Sequence, residues 1–245
     1  MLELLYPVAV VLLGYIVLGM TGFGSALIIV PLLAWHWPLP EVVALTLLLD
    51  VPASMLMGGL NISRVNWVEM RRLLPGMVAG ILAALWLAGM VEPRWPLVGL
   101  GVYVIAVGVR NLTSATHSKG SINSVYAYPV GAAIGAVEML FGTAGPLVVA
   151  WLSRRLSDVH ALRATTPLVI TLSACSVLLT MGMAGRLSDP ELWWRWIVLL
   201  GVAVIGVLIG HSWSRRVAPF VVRKTICVLL LGSGLSLVIH ALFRA

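Results

Sequence analysis

The sequence predicts an all-α polytopic membrane protein built from two inverted-topology repeats, each a re-entrant or broken helical hairpin followed by three transmembrane helices. Three observations predict this fold class. Hydrophobic residues make up 60% of the 245 residues and charged residues only 10%, and the mean hydropathy is +1.04. Two of the apolar segments are interrupted by glycine-rich stretches. The basic residues collect on one side of the membrane only if those two segments fold back on themselves.

Apolar segments follow one another along the whole chain, and each is judged by the rule that about 20 mostly apolar residues span the hydrocarbon core. The first and fifth are longer than one crossing needs, and glycine-rich stretches at residues 19–25 and 141–146 interrupt them. The first segment is also longer than the apolar region of a signal peptide, so we expect it to be retained. The segments cover residues 4–35, 42–60, 73–91, 95–109, 126–152, 166–184, 193–211 and 220–242.

The two interrupted segments divide the chain into similar halves. Each half begins with an interrupted segment and continues with three ordinary spans, and residues 23–30 resemble residues 141–148 in local sequence. We therefore expect a first transmembrane repeat at residues 1–112, a polar linker at 113–125 and a second transmembrane repeat at 126–245.

The distribution of lysine and arginine separates two topologies. If every segment crosses once, eight of the sixteen basic residues lie on each side; if the two interrupted segments are hairpins, twelve lie on one side and four on the other. Only the second arrangement follows the positive-inside rule. It gives each half three crossings, so the halves are inverted, with six crossings in all and both termini outside. The cytoplasmic loops are then those around residues 64–72, Lys119, residues 154–163 and residues 215–224. Long tilted helices that cross once are the alternative.

Each glycine-rich break is predicted to form an anion site. The half-helix after a break presents unpaired N–H groups and the positive end of its dipole, and glycine lets a ligand approach the backbone closely. Both breaks are expected to meet near the middle of the membrane. Close helix packing through small residues is the alternative reading of the glycines. The candidate substrate-binding residues are Thr21, Gly22, Phe23, Gly24 and Ser25 in the first break and Gly142, Thr143, Ala144 and Gly145 in the second.

Three charged residues in or beside the apolar segments are further candidates. Asp50 and Glu138 lie inside apolar segments, where a carboxyl is costly unless it is paired, hydrogen-bonded or protonated. Either is a candidate for carrying a coupling proton, or for a structural hydrogen bond to a neighbouring helix. Arg163 follows the second break and is a candidate counter-charge for an anionic substrate.

The interrupted segments carry a family resemblance. A glycine-rich break followed by an apolar run into Val30-Pro31-Leu32-Leu33, with a second break in the other half, resembles the TauE/SafE family. The resemblance covers nearly the whole chain and implies export of sulfite, sulfoacetate or related sulfur-containing anions. The glycine runs are interrupted here, as Gly22-Phe23-Gly24-Ser25 and Gly142-Thr143-Ala144-Gly145, whereas the family often has consecutive glycines.

Three classes of function are compatible with a membrane chain of this kind. A secondary transporter that exports a small anion is favoured, and an anion channel that uses the same site without alternating access is the alternative. An intramembrane enzyme is disfavoured because the sequence contains no His-Glu-x-x-His or Gly-x-Ser-x-Gly motif. We expect a small anionic substrate and the lipid bilayer as partners, and no nucleic acid, cofactor or metal. Formation of a homodimer is left open.

Overall fold

The structure is a computed structural model that describes residues 2–58, 63–92, 94–113, 123–156, 158–213 and 219–243, and within these ranges it is helical and contains no strand. Most of the predicted linker lies outside the described residues, as do Lys119 and residues 214–218. The helices are α1 Leu2–Thr21, α2 Ser25–Leu33, α3 Leu39–Gly58, α4 Trp67–Ala88, α5 Arg94–Thr113, a 3-10 turn Ser124–Tyr126, α6 Ala127–Phe141, α7 Gly145–Arg155, α8 Val159–Met183, α9 Pro190–Trp213 and α10 Pro219–Phe243.

The first interrupted segment forms a helical hairpin. Gly22 and Gly24 have φ angles of 84° and 96°, a left-handed conformation that glycine adopts without strain, and they turn the chain between α1 and α2. The Tyr6 hydroxyl donates to the Leu32 carbonyl oxygen at 2.9 Å, so α2 runs back along α1 and ends near its beginning. The segment therefore does not continue in one direction as a single helix.

The second interrupted segment also folds back. Gly142 ends α6 with φ of 63°, and its N–H donates to the Glu138 carbonyl oxygen at 2.8 Å, a common way for a helix to end. Arg155, at the far end of α7, forms an ion pair with Glu69 in the first turn of α4. Gly76 of α4 approaches Tyr128 of α6 and Gly80 approaches Ala132, so the two helices run in the same direction and the end of α7 lies at the level of the start of α6.

Small residues bring three pairs of helices into close contact. A Cβ at Gly76 or Gly80 of α4 would collide with the backbone of Tyr128 or Ala132 in α6, and successive contacts advance along both helices, which are therefore parallel. The α1 and α9 pair is parallel in the same way, through contacts of Gly206 with Leu12 and of Gly210 with Ile16. The α5 and α10 pair is antiparallel, because Gly101 approaches Val238 whereas Gly108 approaches Leu231. Helices α3 and α8 form a fourth packed pair.

Helix α2 lies at the centre of the fold. All of its residues except Leu32 are buried, and it packs against α1, α3, α5 and α10. A short helix that is apolar on every side is expected to be surrounded by protein. The beginning of α2, which carries the first predicted site, is consequently held deep inside the molecule.

The outer surface is apolar, as a lipid-facing surface should be. Large side chains such as Leu82, Ile197, Leu208 and Leu235 are more than half exposed. Five helical stretches in the described part of the chain are long and apolar enough to cross a membrane by length and composition: Leu39–Met57, Trp67–Ala88, Ser124–Phe141, Ala164–Met183 and Pro190–Trp213. Four of these coincide with predicted crossings, and Ser124–Phe141 contains the first arm of the second hairpin. Two further predicted crossings, 95–109 and 220–242, correspond to α5 and α10.

Candidate functional site

The two glycine breaks meet at one small cavity inside the protein. A Cβ added at Gly145 would lie 3.5 Å from the Cβ of Phe23, so the start of α7 touches the turn before α2. Within the cavity, the centre of a water molecule can occupy a volume of about 20 Å³. This is room for about one water. Eight of the candidates from the sequence line this cavity: Phe23, Gly24, Ser25, Asp50, Glu138, Gly142, Thr143 and Gly145.

Asp50 joins three elements at the first break. Its Oδ1 accepts hydrogen bonds from the Tyr15 hydroxyl at 2.7 Å and from the Ser25 hydroxyl at 2.8 Å. These bonds tie α3 to α1 and to the first residue of α2. A carboxyl that is 6% exposed needs such donors, because an unsatisfied buried acceptor is costly.

Glu138 occupies the second break. The residue is 1% exposed, and its Oε2 accepts a hydrogen bond from the Ala144 N–H at 2.7 Å. Ala144 is the N-cap residue of α7, so the carboxyl lies at the positive end of that helix. The sequence predicts free N–H groups at this break, but the structure shows that the Ala144 N–H already has an acceptor.

Thr143 has one polar group with a partner and one without. Its carbonyl oxygen accepts a hydrogen bond from the Tyr103 hydroxyl at 2.9 Å, which ties α5 to the break. Its own hydroxyl is buried with no hydrogen-bond partner, and the residue is 3% exposed. A buried hydroxyl beside a cavity is normally satisfied, so this one is available to a ligand.

The helix that begins at the first break has a similar N-terminus. The N-cap residue of α2 is Gly24, which has no side chain to accept from the first turn, and no acidic residue lies in that turn. Neither α2 nor α7 has an acidic residue in its own first turn, so both helices direct backbone N–H groups toward the cavity, although at α7 the Ala144 N–H is taken by Glu138 from α6.

Two residues from the first break do not line the cavity. The Thr21 hydroxyl contacts the carbonyl oxygens of Val17 at 2.8 Å and Phe23 at 2.6 Å, so it stabilises the turn. Gly22 forms the turn itself, and a Cβ there would meet nothing within 4 Å. Arg163 lies early in α8, but its side chain is outside what the structure describes.

Sequence reasoning missed the two tyrosines and Ser54, which lines the cavity from α3. Tyr15 is fully buried and Tyr103 is partly buried, and each hydrogen-bonds to a group at a break. A tyrosine in the middle of an apolar segment normally finds a partner for its hydroxyl, and that is the signal that could have identified both.

A family model of known proteins covers both glycine breaks. The family model described as "Sulfite exporter TauE/SafE" matches residues 7–237. The chain belongs to this family. The resemblance that the two breaks indicate is thereby confirmed, and the TauE/SafE match includes both hairpins and the cavity between them. No solved structure matches the chain.

A curated relative agrees with the TauE/SafE assignment. The chain is 40% identical over 196 residues to the "Probable inner membrane transporter protein TsaS" of Comamonas testosteroni, and the alignment covers 80% of this chain and 82% of the relative. The family and the relative are both named as transport proteins, which agrees with the expectation that the chain is not an enzyme.

A larger open groove runs along α7 of this TauE/SafE chain. Its lining includes Leu147, Ala150 and Arg154, which lie about one turn apart on a single face of the helix, and its volume is about 550 Å³. Arg110 of α5 also lines the groove. The groove is thus lined by two arginines, and its lining reaches to within two residues of Gly145.

Proposed function

We propose that the protein is a secondary transporter that exports a small anion, either sulfite or an organosulfonate such as sulfoacetate, and binds it between the two glycine breaks. The observation that carries this proposal is the meeting, at one buried cavity, of two helix N-termini that have no acidic residue in their own first turns. Two such termini direct positive dipole ends and backbone N–H groups at the same point, which favours an anion. The family description, sulfite exporter, supports the same class of substrate and direction.

The packing of the helices supports two inverted repeats of five helices each, α1 to α5 and α6 to α10. Exchanging corresponding helices turns the α1 and α9 pair into the α6 and α4 pair, and both pairs are parallel. The same exchange returns the α5 and α10 pair to itself, and that pair is antiparallel. A two-fold axis along the membrane normal would make α5 and α10 parallel, so the antiparallel pair supports an axis in the membrane plane and inverted repeats. The substrate site of inverted repeats lies at their interface.

Transport by alternating access is favoured over a channel by the size of the cavity. A sulfite or sulfonate group has at least four heavy atoms, whereas the cavity has room for about one water. The elements around the breaks must therefore separate to admit the anion, as in a transporter. The groove with Arg110 and Arg154 is the proposed approach from the cytoplasm, because clefts lined by positive charge concentrate anions.

Binding of the anion is tested by thermal unfolding of the purified protein with sulfite, sulfoacetate, taurine, sulfate and chloride. A ligand of the folded state raises its apparent stability, so sulfite or sulfoacetate should raise the Tm most. A Tm that no anion changes would remove the proposed site.

Flux into proteoliposomes separates a transporter from a channel. Saturable flux that responds to an imposed pH gradient is expected of the transporter, with Asp50 or Glu138 as the carrier of the coupling proton. Flux that stays proportional to concentration and ignores the pH gradient would favour the channel.

The inner membrane of a bacterium is the proposed location, following the name of the curated relative. The loops rich in arginine and lysine are proposed to be cytoplasmic and both termini external. A homodimer stays a prediction, which light scattering of the protein in detergent would test.

A further inference from the structure

We propose that the Glu138 carboxylate is a built-in competitor of the substrate: ionised, it occupies the anion site at the start of α7, and protonation releases that site. This inference rests on the proposed anion transport and assigns its proton dependence to one residue. Asp50, which the sequence makes an equal candidate, is assigned a different role.

The first step is the position of the carboxylate. Glu138 lies in the last turn of α6, and the chain turns at Gly142 so that the Ala144 N–H points back to Glu138 Oε2 at 2.7 Å. This is the donor that an anion at the N-terminus of α7 would use. A carboxylate and a sulfonate are both acceptors with delocalised negative charge, so they cannot share that donor.

The second step is the hydroxyl of Thr143. It is buried beside the same cavity and has no partner, although the adjacent residue supplies the N–H that Glu138 takes. Glu138 therefore satisfies only part of the site. A ligand with three oxygen atoms can accept from the Thr143 hydroxyl and from the Ala144 N–H together, and a carboxylate anchored on α6 leaves the hydroxyl unpaired in this structure.

The third step is the difference between the two carboxyls. Asp50 accepts from two side chains, those of Tyr15 and Ser25, and these bonds hold α1, α2 and α3 together. Glu138 accepts from a backbone N–H at the helix end itself. Loss of the negative charge at Glu138 thus frees the Ala144 N–H for a substrate anion. Loss of the charge at Asp50 instead weakens the hydrogen bonds that hold α1, α2 and α3 together.

Glu138 is the titratable group that accepts a hydrogen bond at the second break. Asp50 is the other carboxyl among the described residues that line the cavity. Tyr103 of α5 faces the break, and its hydroxyl donates to the Thr143 carbonyl oxygen rather than to the carboxylate. The remaining titratable residues on the helices packed against α6 are Glu41 on α3, Glu69, Arg71 and Arg72 at the start of α4, Arg94 and Arg110 on α5, Arg154 and Arg155 at the end of α7, and His160, Arg163 and Cys175 on α8.

The fraction of molecules with protonated Glu138 then sets the apparent affinity for the anion. If only molecules with neutral Glu138 bind the anion, the apparent Kd is the intrinsic Kd divided by the protonated fraction. Once Glu138 is mostly ionised, each further pH unit should raise the apparent Kd by about tenfold. Each anion that binds is then accompanied by one proton taken up at Glu138.

The experiment measures sulfoacetate binding to the purified protein by calorimetry from mildly acid to mildly alkaline pH, where the sulfonate stays ionised. The wild type should show the tenfold change per pH unit, and Glu138→Gln should bind as tightly as the acid form of the wild type at every pH. Asp50→Asn should keep the pH dependence. Glu92→Gln is the matched control, since Glu92 is exposed between α4 and α5 and its loss should leave the whole profile unchanged.

A second measurement needs no variant. In weakly buffered solution the wild type should take up close to one proton for each sulfoacetate bound at alkaline pH. Binding without proton uptake would overturn the role of Glu138, and so would a Glu138→Gln profile as steep as that of the wild type. Either result would leave the proposed anion transport standing. Failure of the wild type to bind any of the anions at any pH would instead overturn the proposed function, and the role of Glu138 with it.

Discussion

Thr143 offers a test of the site at the scale of a single residue. Its hydroxyl is buried and unpaired, so Thr143→Val removes a group that contributes no hydrogen bond to the free protein. We expect the stability without ligand to stay the same or rise by about 1 kcal/mol, because an unsatisfied buried group is lost. The affinity for sulfoacetate should fall about tenfold or more, since a hydrogen bond to a charged group contributes about 1.5–3 kcal/mol.

Thermal unfolding without ligand and calorimetric titration with sulfoacetate measure the two effects of Thr143→Val separately. Thr143→Ser is the matched control, because it keeps the hydroxyl and should keep the affinity. An equal loss of stability and affinity in the valine variant would indicate a packing role, and unchanged affinity would place the anion elsewhere.

The residues of the site were predictable from sequence to different degrees. Glycine and carboxyl groups are conspicuous in apolar segments, so Gly24, Gly142, Asp50 and Glu138 could be selected before the structure was known. The bond between Tyr15 and Asp50 spans 35 positions of sequence and depends on how α1 packs against α3, which no local pattern specifies.

Close packing of α4 on α6 gives a prediction at the scale of the helix pair. A Cβ at Gly80 would collide with the carbonyl group of Ala132, and the backbone on both sides is helical and cannot move locally. We expect Gly80→Ala to destabilise the protein by about 1–3 kcal/mol, the usual cost of overpacking. This corresponds to a Tm lower by on the order of 5 °C, measured by tryptophan fluorescence in detergent.

Gly201→Ala is the matched control for Gly80→Ala. Gly201 lies within α9, and a Cβ there would meet nothing within 4 Å. Both variants gain the same helix propensity, so their difference isolates the contact between α4 and α6. A Tm for Gly80→Ala equal to that of Gly201→Ala would show that the two helices are not in contact at this position.

The ion pair between Glu69 and Arg155 fixes the end of α7 to the start of α4. Glu69 Oε1 accepts from Arg155 Nη2 at 2.6 Å and from Arg72 Nη1 at 3.0 Å, and the Glu69 side chain is 5% exposed. We expect Glu69→Gln to cost about 2–3 kcal/mol in unfolding free energy, less than a fully buried pair because Arg155 still reaches water.

Arg72→Gln is the control for that ion pair. Arg72 is 41% exposed, so its loss should cost no more than about 1 kcal/mol. Chemical unfolding of the three proteins under one condition compares these values. Equal losses for the two variants would mean that the bond to Arg155 does not stabilise α7.

Elements were easier to predict than their arrangement. Six uninterrupted apolar segments correspond to α3, α4, α5, α8, α9 and α10, because hydropathy reports directly on length and polarity. The fold-back of α2 followed from segment length, glycine and charge. Its central burial did not, since a helix that faces lipid is also apolar and lipid is as apolar a neighbour as protein.

The whole molecule is organised by pairs of helices that lie far apart in sequence. Helix α1 packs against α9 and α4 against α6, so each half of the chain supplies helices to the surroundings of the other's hairpin. The weak similarity between residues 23–30 and 141–148 is the sequence signal for the predicted repeat. Which helices of the two halves pack together depends instead on small residues such as Gly76 and Gly210, which contact the backbone of the other half. A sequence read one segment at a time contains no information about those partners.

Sidedness is the prediction that belongs to the whole molecule. With both broken segments as hairpins, the start of α4 and the end of α7 face the cytoplasm, and the turn between α8 and α9 faces outward. We test this with single cysteines in a Cys175→Ala, Cys227→Ala background and an impermeant maleimide. Ser63→Cys and Arg154→Cys should react only after the cells are opened. Ser188→Cys should react in intact cells. Eight simple crossings would instead put positions 63 and 188 on one face and 154 on the other. The three positions therefore give a different pattern of labelling for each topology, and unlabelled Arg154→Cys together with labelled Ser63→Cys in intact cells would exclude the inverted repeats.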